Sequence, residues 1–241
     1  MKKILFISSL LIFAIIFTSC KKNDSPAAPS YKCATCKTTP DALAANDGSS
    51  KGVYKGIFIG STGTIQFNIL NGSSTITAVM VLDGVSVNLT SSISWAAGNS
   101  YVAPFTGTLN GAAISVTFKV DANGGNPLVI ATNIPGHPSA QFNLSKETSA
   151  ALLECFEGTY STTKPETGTF NLIISRSLGK MGGSSRKDGG TTNGDFSGTI
   201  TSDGKLMQNG TDYIGTVNGD NISGSFKGGN GDVTITGKRT L

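Results

Sequence analysis

Phe105-Thr-Gly-Thr-Leu-Asn-Gly-Ala-Ala-Ile-Ser-Val-Thr-Phe-Lys119 aligns without a gap on Tyr213-Ile-Gly-Thr-Val-Asn-Gly-Asp-Asn-Ile-Ser-Gly-Ser-Phe-Lys227, with identity at 8 of 15 positions. Chance would give roughly one or two in so Gly-, Ser- and Thr-rich a chain, so the stretch reads as an internal duplication. Within the first copy Ile114, Val116, Phe118 and Val120 alternate with polar or small residues. That period of two belongs to half-buried strands, and the Asn-Gly pairs at 110–111 and 218–219 supply the positive φ angles of type I′ hairpins. Asp83-Gly84 carries the same signal.

A second match lies at nearly the same offset. Gly52-Val-Tyr54 followed by Gly63-Thr-Ile-Gln-Phe-Asn-Ile69 corresponds to Gly158-Thr-Tyr160 followed by Gly168-Thr-Phe-Asn-Leu-Ile-Ile174. The fold class is therefore all-β, built as two tandem antiparallel meander units over 51–145 and 146–241. About eight strands are predicted in the first and about seven in the second, enough for a small barrel or sandwich in each. Gly56, Gly107, Gly198, Gly215, Gly224 and Gly237 fall inside apparent strands, where Gly marks a bulge, a bend or a close approach of another backbone. Each unit is expected to follow a short helix: Thr39-Pro40-Asp41-Ala42-Leu43-Ala44-Ala45 before the first, and Lys146 to Glu154 before the second.

The N-terminus carries a different signal. Lys2 and Lys3 precede an apolar run from Ile4 to Phe17, too short for a membrane anchor and suited to the core of a signal peptide. The run ends at Phe17-Thr18-Ser19-Cys20, which resembles the lipobox of bacterial lipoproteins. The resemblance implies cleavage after residue 19, lipidation of Cys20, and attachment to the membrane through acyl chains. Lys21-Lys22-Asn23-Asp24 resembles the export signal of surface lipoproteins of Bacteroidota-type bacteria, and the layout of Lys51 to Arg239 resembles the β-repeat domains of such proteins. That resemblance implies an envelope location on the outer membrane, with possible surface exposure, and carries no known activity. Residues 20–50, with Pro26, Pro29 and Asp47-Gly48-Ser49-Ser50, read as a tether.

Composition narrows the chemistry. The 241 residues include one His, one Trp and four Cys, and only 14% are charged. One His cannot build a multi-His zinc site, and no metal or cofactor is expected. The formal charge of +4 is too small for a nucleic-acid footprint, and removal of the leader takes two of the 19 bases, leaving near balance with 15 acids. Cys33-Ala-Thr-Cys36 and Cys155 remain after Cys20. Either one of Cys33 and Cys36 bridges Cys155, or the two pair with each other.

Between Gly56 and Phe118 the single charged residue is Asp83, so the first unit is poorly equipped for acid–base catalysis. Trp95 and Tyr101, among Ser, Thr and Asn, could stack on a glycan or could belong to an ordinary core and loop. Arg186 and Lys187, in the Gly-rich stretch from Gly182 to Gly190, could cradle an anion, though without P-loop spacing, or could sit in a hairpin loop. His137, in Ile134-Pro-Gly-His-Pro138, reads as a loop residue. The sequence thus favours a non-catalytic module binding an extracellular glycan or envelope protein. Two alternatives stand beside it. One is a glycoside hydrolase with Glu157, Glu166, Asp195 and Asp212 gathered in a cleft between the units; the other is a lipocalin-like barrel with a cavity of about 300 Å³ or more for a small apolar ligand.

Overall fold

The computed structural model describes residues 31–60, 63–229 and 231–241. The leader, Cys20 and the first part of the tether lie outside the described residues. Tyr31–Leu241 forms one compact unit holding two β-systems of eight strands each. The first contains β1 (Gly52–Ile59), β2 (Gly63–Ile69), β3 (Ile76–Leu82), β4 (Val85–Ser91), β5 (Tyr101–Leu109), β6 (Ala112–Val120), β7 (Leu128–Asn133) and β8 (Gln141–Glu147). The second contains β9 (Glu154–Thr162), β10 (Thr167–Ser175), β11 (Lys180–Lys187), β12 (Asn193–Ile200), β13 (Lys205–Gln208), β14 (Asp212–Asn218), β15 (Asn221–Gly228) and β16 (Gly231–Arg239).

Every ladder is antiparallel, as hairpin-linked strands must be. In the second system β16 pairs with β9 through seven residue pairs, from Val233 opposite Thr162 to Arg239 opposite Phe156, which closes a barrel. In the first, β8 pairs with β1 while β7 pairs with β6 alone, so the order β7-β6-β5-β4-β3-β2-β1-β8 has two ends.

The turn chemistry follows the sequence at two hairpins and departs from it at a third. Asp83-Gly84 and Asn110-Gly111 have φ of 48° and 79°, and 51° and 82°, between the paired residues Leu82/Val85 and Leu109/Ala112. At the corresponding place in the second copy Asn218 pairs with Asn221, and the two-residue loop is Gly219-Asp220, with Gly219 at φ 58°. The turn has moved by one residue relative to the repeat. The pairing across the hairpin therefore slips by two, so that Ile114 lies opposite Gly107 whereas its counterpart Ile222 lies opposite Val217, and the inward faces are kept.

Neither expected helix forms. Before the first system there is only a 3-10 turn at Ala44–Asn46. The backbone groups a helix would use are taken by distant side chains: Asp41 N–H donates to Glu147 Oε1 at 2.7 Å, Leu43 N–H donates to Asn71 Oδ1 at 3.0 Å, and Asp41 O accepts from Asn71 Nδ2 at 2.8 Å. Residues 146–154 are the end of β8, a turn closed by the bridge between Thr148 and Ala151, and the start of β9. Glu147 is fully buried there against Lys55 Nζ at 2.6 Å and accepts Leu153 N–H at 3.0 Å, which fixes an extended backbone.

The first core is filled by rings. Phe67 stacks on Phe118 at 4.4 Å and meets Phe105 edge-on at 4.9 Å, and Tyr54 lies 5.1 Å from Phe118. β1 is buried along its whole length because its two faces serve different neighbours. Tyr54 and Phe58 enter the first core, whereas Ile57 packs with Leu153, Cys155 and Ile173 between the two systems. Polar side chains complete that contact. Asn171 Nδ2 donates to Phe58 O, and Asn143 Nδ2 donates to Ser184 Oγ at 2.6 Å.

Candidate functional site

The second barrel is a cup. Its lower half is filled by buried Phe156, Ile174, Met181, Ile200, Val217 and Ile222. Beneath them the base is tied by charge: Glu154 accepts from Arg176 Nε at 2.8 Å and lies 3.4 Å from Arg239, which also reaches Asp220 at 3.6 Å. The segment after Tyr31 lies over this base, since Tyr31 Oη donates to Arg239 O, Cys33 N–H to Asp220 Oδ2, and Arg239 Nη2 to Lys37 O.

The upper half is open, with a cavity of about 330 Å³. Phe170, Phe196 and Phe226 line it with Leu172, Leu206, Ile214, Val233 and Ile235. Alternation puts these side chains inward on β10, β12, β13, β15 and β16, and the register irregularity opposite β14 brings Ile214 inward beside them. Polar groups stand at the mouth, where the hairpins after β9, β11, β13 and β15 lie: Tyr160, Thr162, Glu166, Ser185 and Gln208. Tyr160 Oη donates to Glu166 Oε1 at 3.2 Å, and Lys187 Nζ pairs with Glu166 Oε2 at 3.2 Å. Burial, and then the hydrogen bond to the Glu166 carboxylate, push the Tyr160 hydroxyl up to about 12. It therefore stays a donor at any physiological pH. The arrangement offers an apolar slot with a phenol, a carboxylate and an amide at its rim, which is the composition of a small-molecule pocket.

The residues singled out in the sequence are distributed as follows. Lys187 reaches the mouth through Glu166. Arg186 is buried outside the barrel wall, donating from Nε to Asn193 Oδ1 and from Nη2 to Ser139 O, both at 2.7 Å, so it latches the two β-systems together. Tyr101 is buried in the first core, with its hydroxyl donating to Ile93 O at 3.0 Å; burial raises its pKa. Trp95 packs at the edge of the same core. It donates from Nε1 to Ser50 Oγ at 2.8 Å, and Lys51 Nζ covers its ring at 4.2 Å, so the two aromatics form no open platform together. His137 lies between Asp83, at 3.1 Å, and Gly60 O, at 3.3 Å.

Cys33 and Cys36 form the disulfide, and Cys155 is a free, fully buried thiol whose pKa burial pushes up to about 12. Of the four acids considered for hydrolysis, Glu166 is at the mouth, Glu157 pairs with Lys238 at 3.4 Å, Asp195 accepts from Ser184, and Asp212 is exposed at the start of β14. Asp195 follows and precedes inward residues of β12, so its side chain lies on the outer wall. Glu166 and Asp195 both border the barrel cavity, whereas Glu157 and Asp212 do not line it, so the four acids are not gathered in one cleft.

Tyr160, Phe196 and Gln208 were not distinguished by sequence. Their signal was alternation alone, which does not tell a filled barrel from a hollow one. In comparisons with known proteins, the chain matches no family model, no characterised protein and no solved structure.

Proposed function

We propose that the protein is a lipid-anchored, non-catalytic binding protein of the cell envelope whose second barrel takes up a small molecule with an apolar body and a polar end. The lipobox-like run ending at Cys20 supports the anchoring. The cavity of about 330 Å³ carries the binding reading, because it is large enough for a small ligand and its polar groups are confined to one rim. The apolar body lies among Phe170, Phe196 and Phe226, and the polar end meets Tyr160, Glu166 and Gln208. Among the partners considered from sequence, this ligand class is favoured over a glycan, since the cavity walls are aliphatic and phenyl rather than amide and hydroxyl.

Titration with the neutral fluorophore 1-N-phenylnaphthylamine tests the reading. Fluorescence enhancement should be saturable and should fall at least about tenfold in affinity in Ile214→Trp, which fills the slot. Binding undiminished by that substitution, in a variant that keeps its β-sheet circular dichroism, would place the dye elsewhere and end the proposal.

A further inference from the structure

The chain has three arginines, and the structure treats one of them differently. Arg176 meets the carboxylate of Glu154, and Arg239 meets those of Glu154 and Asp220. Arg186 is only 9% exposed, yet it has no carboxylate within 4 Å among the described residues. A guanidinium taken so far out of water is costly unless something answers its charge. Asn193 Oδ1 and Ser139 O accept from Nε and Nη2, but both are neutral, and they occupy two of the five N–H bonds. The remaining three, two on Nη1 and one on Nη2, have no acceptor among the described residues.

This unmatched end of the group reaches solvent. Among the described residues no fully buried side-chain nitrogen or oxygen lacks a hydrogen bond, so Nη1, which makes none, is accessible. It lies against Gly60, whose backbone at φ 100° carries no Cβ; one placed there would collide with Nη1. Thr169 of β10 pairs directly with Arg186 of β11, which sets the two side chains next to each other on the outer wall of the barrel.

Arg186, Thr169 and Gly60 border a groove of about 350 Å³, with the turn at Asp188-Gly189-Gly190 on its other side. The other charges there are engaged elsewhere. Asp188 accepts from Thr167 Oγ1 at 2.6 Å, and Lys187 Nζ is drawn to Glu166 at the barrel mouth. Two neutral donors of the groove, Thr169 Oγ1 and Gly189 N–H, have no partner among the described residues.

We propose that this groove is a second ligand site, separate from the barrel cavity, and that it binds a phosphate group. The open N–H bonds of Nη1 and Nη2 form the guanidinium fork that matches two oxygens of one phosphate. Thr169 Oγ1 and Gly189 N–H are the donors for the third oxygen. A phosphate ester brings three acceptor oxygens and close to two negative charges at neutral pH, whereas a carboxylate brings two oxygens and one charge. The bound group supplies the counter-charge that the fold withholds from Arg186.

The test uses the full chain and two probes, inorganic phosphate for a soluble phosphate and dihexanoylphosphatidic acid for a lipid headgroup. Calorimetric titration at constant ionic strength should show saturable binding of at least one, and the tighter of the two names the source. Amide resonances of Thr169, Gly189 and Gly190 should shift with the same saturation. Arg186→Gln should weaken binding at least about tenfold. Thr169→Val keeps the shape of the wall and the Arg186 contacts, and should weaken it about threefold, so the site is tested even if Arg186→Gln fails to fold. Ile214→Trp should leave phosphate binding unchanged, which separates this proposal from the one for the barrel cavity. Three results would overturn it: no saturable binding of either probe up to about 20 mM, affinity unaltered in both groove variants, or resonance shifts confined to the barrel mouth.

Discussion

The two halves of the molecule descend from one repeat and solve opposite halves of the same problem. The first is filled but unsealed, and the second is sealed but hollow. In the first, Phe105 points inward and packs against Phe67 and Phe118, so the centre is occupied by rings. Its aligned residue in the second copy, Tyr213, is 39% exposed, and the inward position beside it is taken by Ile214, a cavity-lining residue. Two local changes accompany that reversal: the turn shifted to Gly219-Asp220, and a register irregularity between Leu206 and Met207 opposite β14. The shifted turn keeps the faces, since Ile222 and Phe226 point inward like Ile114 and Phe118; the irregularity between β13 and β14, where Leu206 pairs with Gly215 and Met207 with Tyr213, is what leaves Tyr213 outside and Ile214 inside.

Closure differs for a related reason. The second copy inserts the short β13 before the duplicated hairpin, so β16 arrives beside β9. The first instead adds β8 after the hairpin; β8 takes the place beside β1, and β7 is left without it. Glycine also acts unequally. Val116 fills the first core, whereas its counterpart Gly224 lies so close to β14 that a Cβ there would come within 2.5 Å of Gly215 Cα.

The comparison can be broken most forcefully at the junction. Lys55→Ala leaves Glu147 buried without its ammonium partner, and should cost about 3–5 kcal/mol. Because Glu147 also holds Asp41 and Leu153, the loss should lower the unfolding midpoint of the whole body in urea, in one transition. Two separate transitions, with the second barrel unaffected, would show that the halves are energetically independent.

The difference between two matched substitutions, smaller than the loss at the junction, distinguishes the filled core from the hollow one. Phe118→Ala should cost about 3–5 kcal/mol, since it opens a cavity in a close-packed ring cluster. Phe226→Ala, at the aligned position beside an existing cavity, should cost only about 1–2 kcal/mol. Urea titrations of the two variants measure the difference, and equal costs would remove the distinction between the cores.

The smallest effect is absent at neutral pH and appears in alkali. Cys155 holds its proton up to about 12 in the folded protein, against about 8.5 in an unfolded chain. Between those values the unfolded chain has lost the proton that the folded chain keeps, so stability falls as pH rises. Cys155→Ala should flatten that decline in unfolding midpoints measured from pH 8 to 11. The native thiol should also resist 5,5′-dithiobis(2-nitrobenzoate) until the protein unfolds.

Much of the fold was legible. The alternation at Ile114, Val116 and Phe118, the hairpin dipeptides at 83–84 and 110–111, and the duplicated stretch all carry local or repeat information, and the all-β meanders follow from them. Pro40 and Asp41 look like helix-start chemistry in isolation, but no helix forms because the hydrogen bonds of this segment go to residues up to 106 positions away. The second copy's eighth strand was missed because β13 spans only Lys205–Gln208. The rim of the cavity was legible only as single residues. Glu166 and Lys187 attracted attention as charges, but nothing local sets them beside Tyr160 and Gln208.

The sequence by itself determined the strand period, most of the turns and the duplication, because each depends on neighbours a few residues apart or on direct self-similarity. The tertiary structure alone decided which copy closes, which inward face is filled, that Cys33 pairs with Cys36, and that β1 is buried on both sides. Those outcomes depend on register and on contacts between residues far apart in the chain, where a shift of one position exchanges inside for outside.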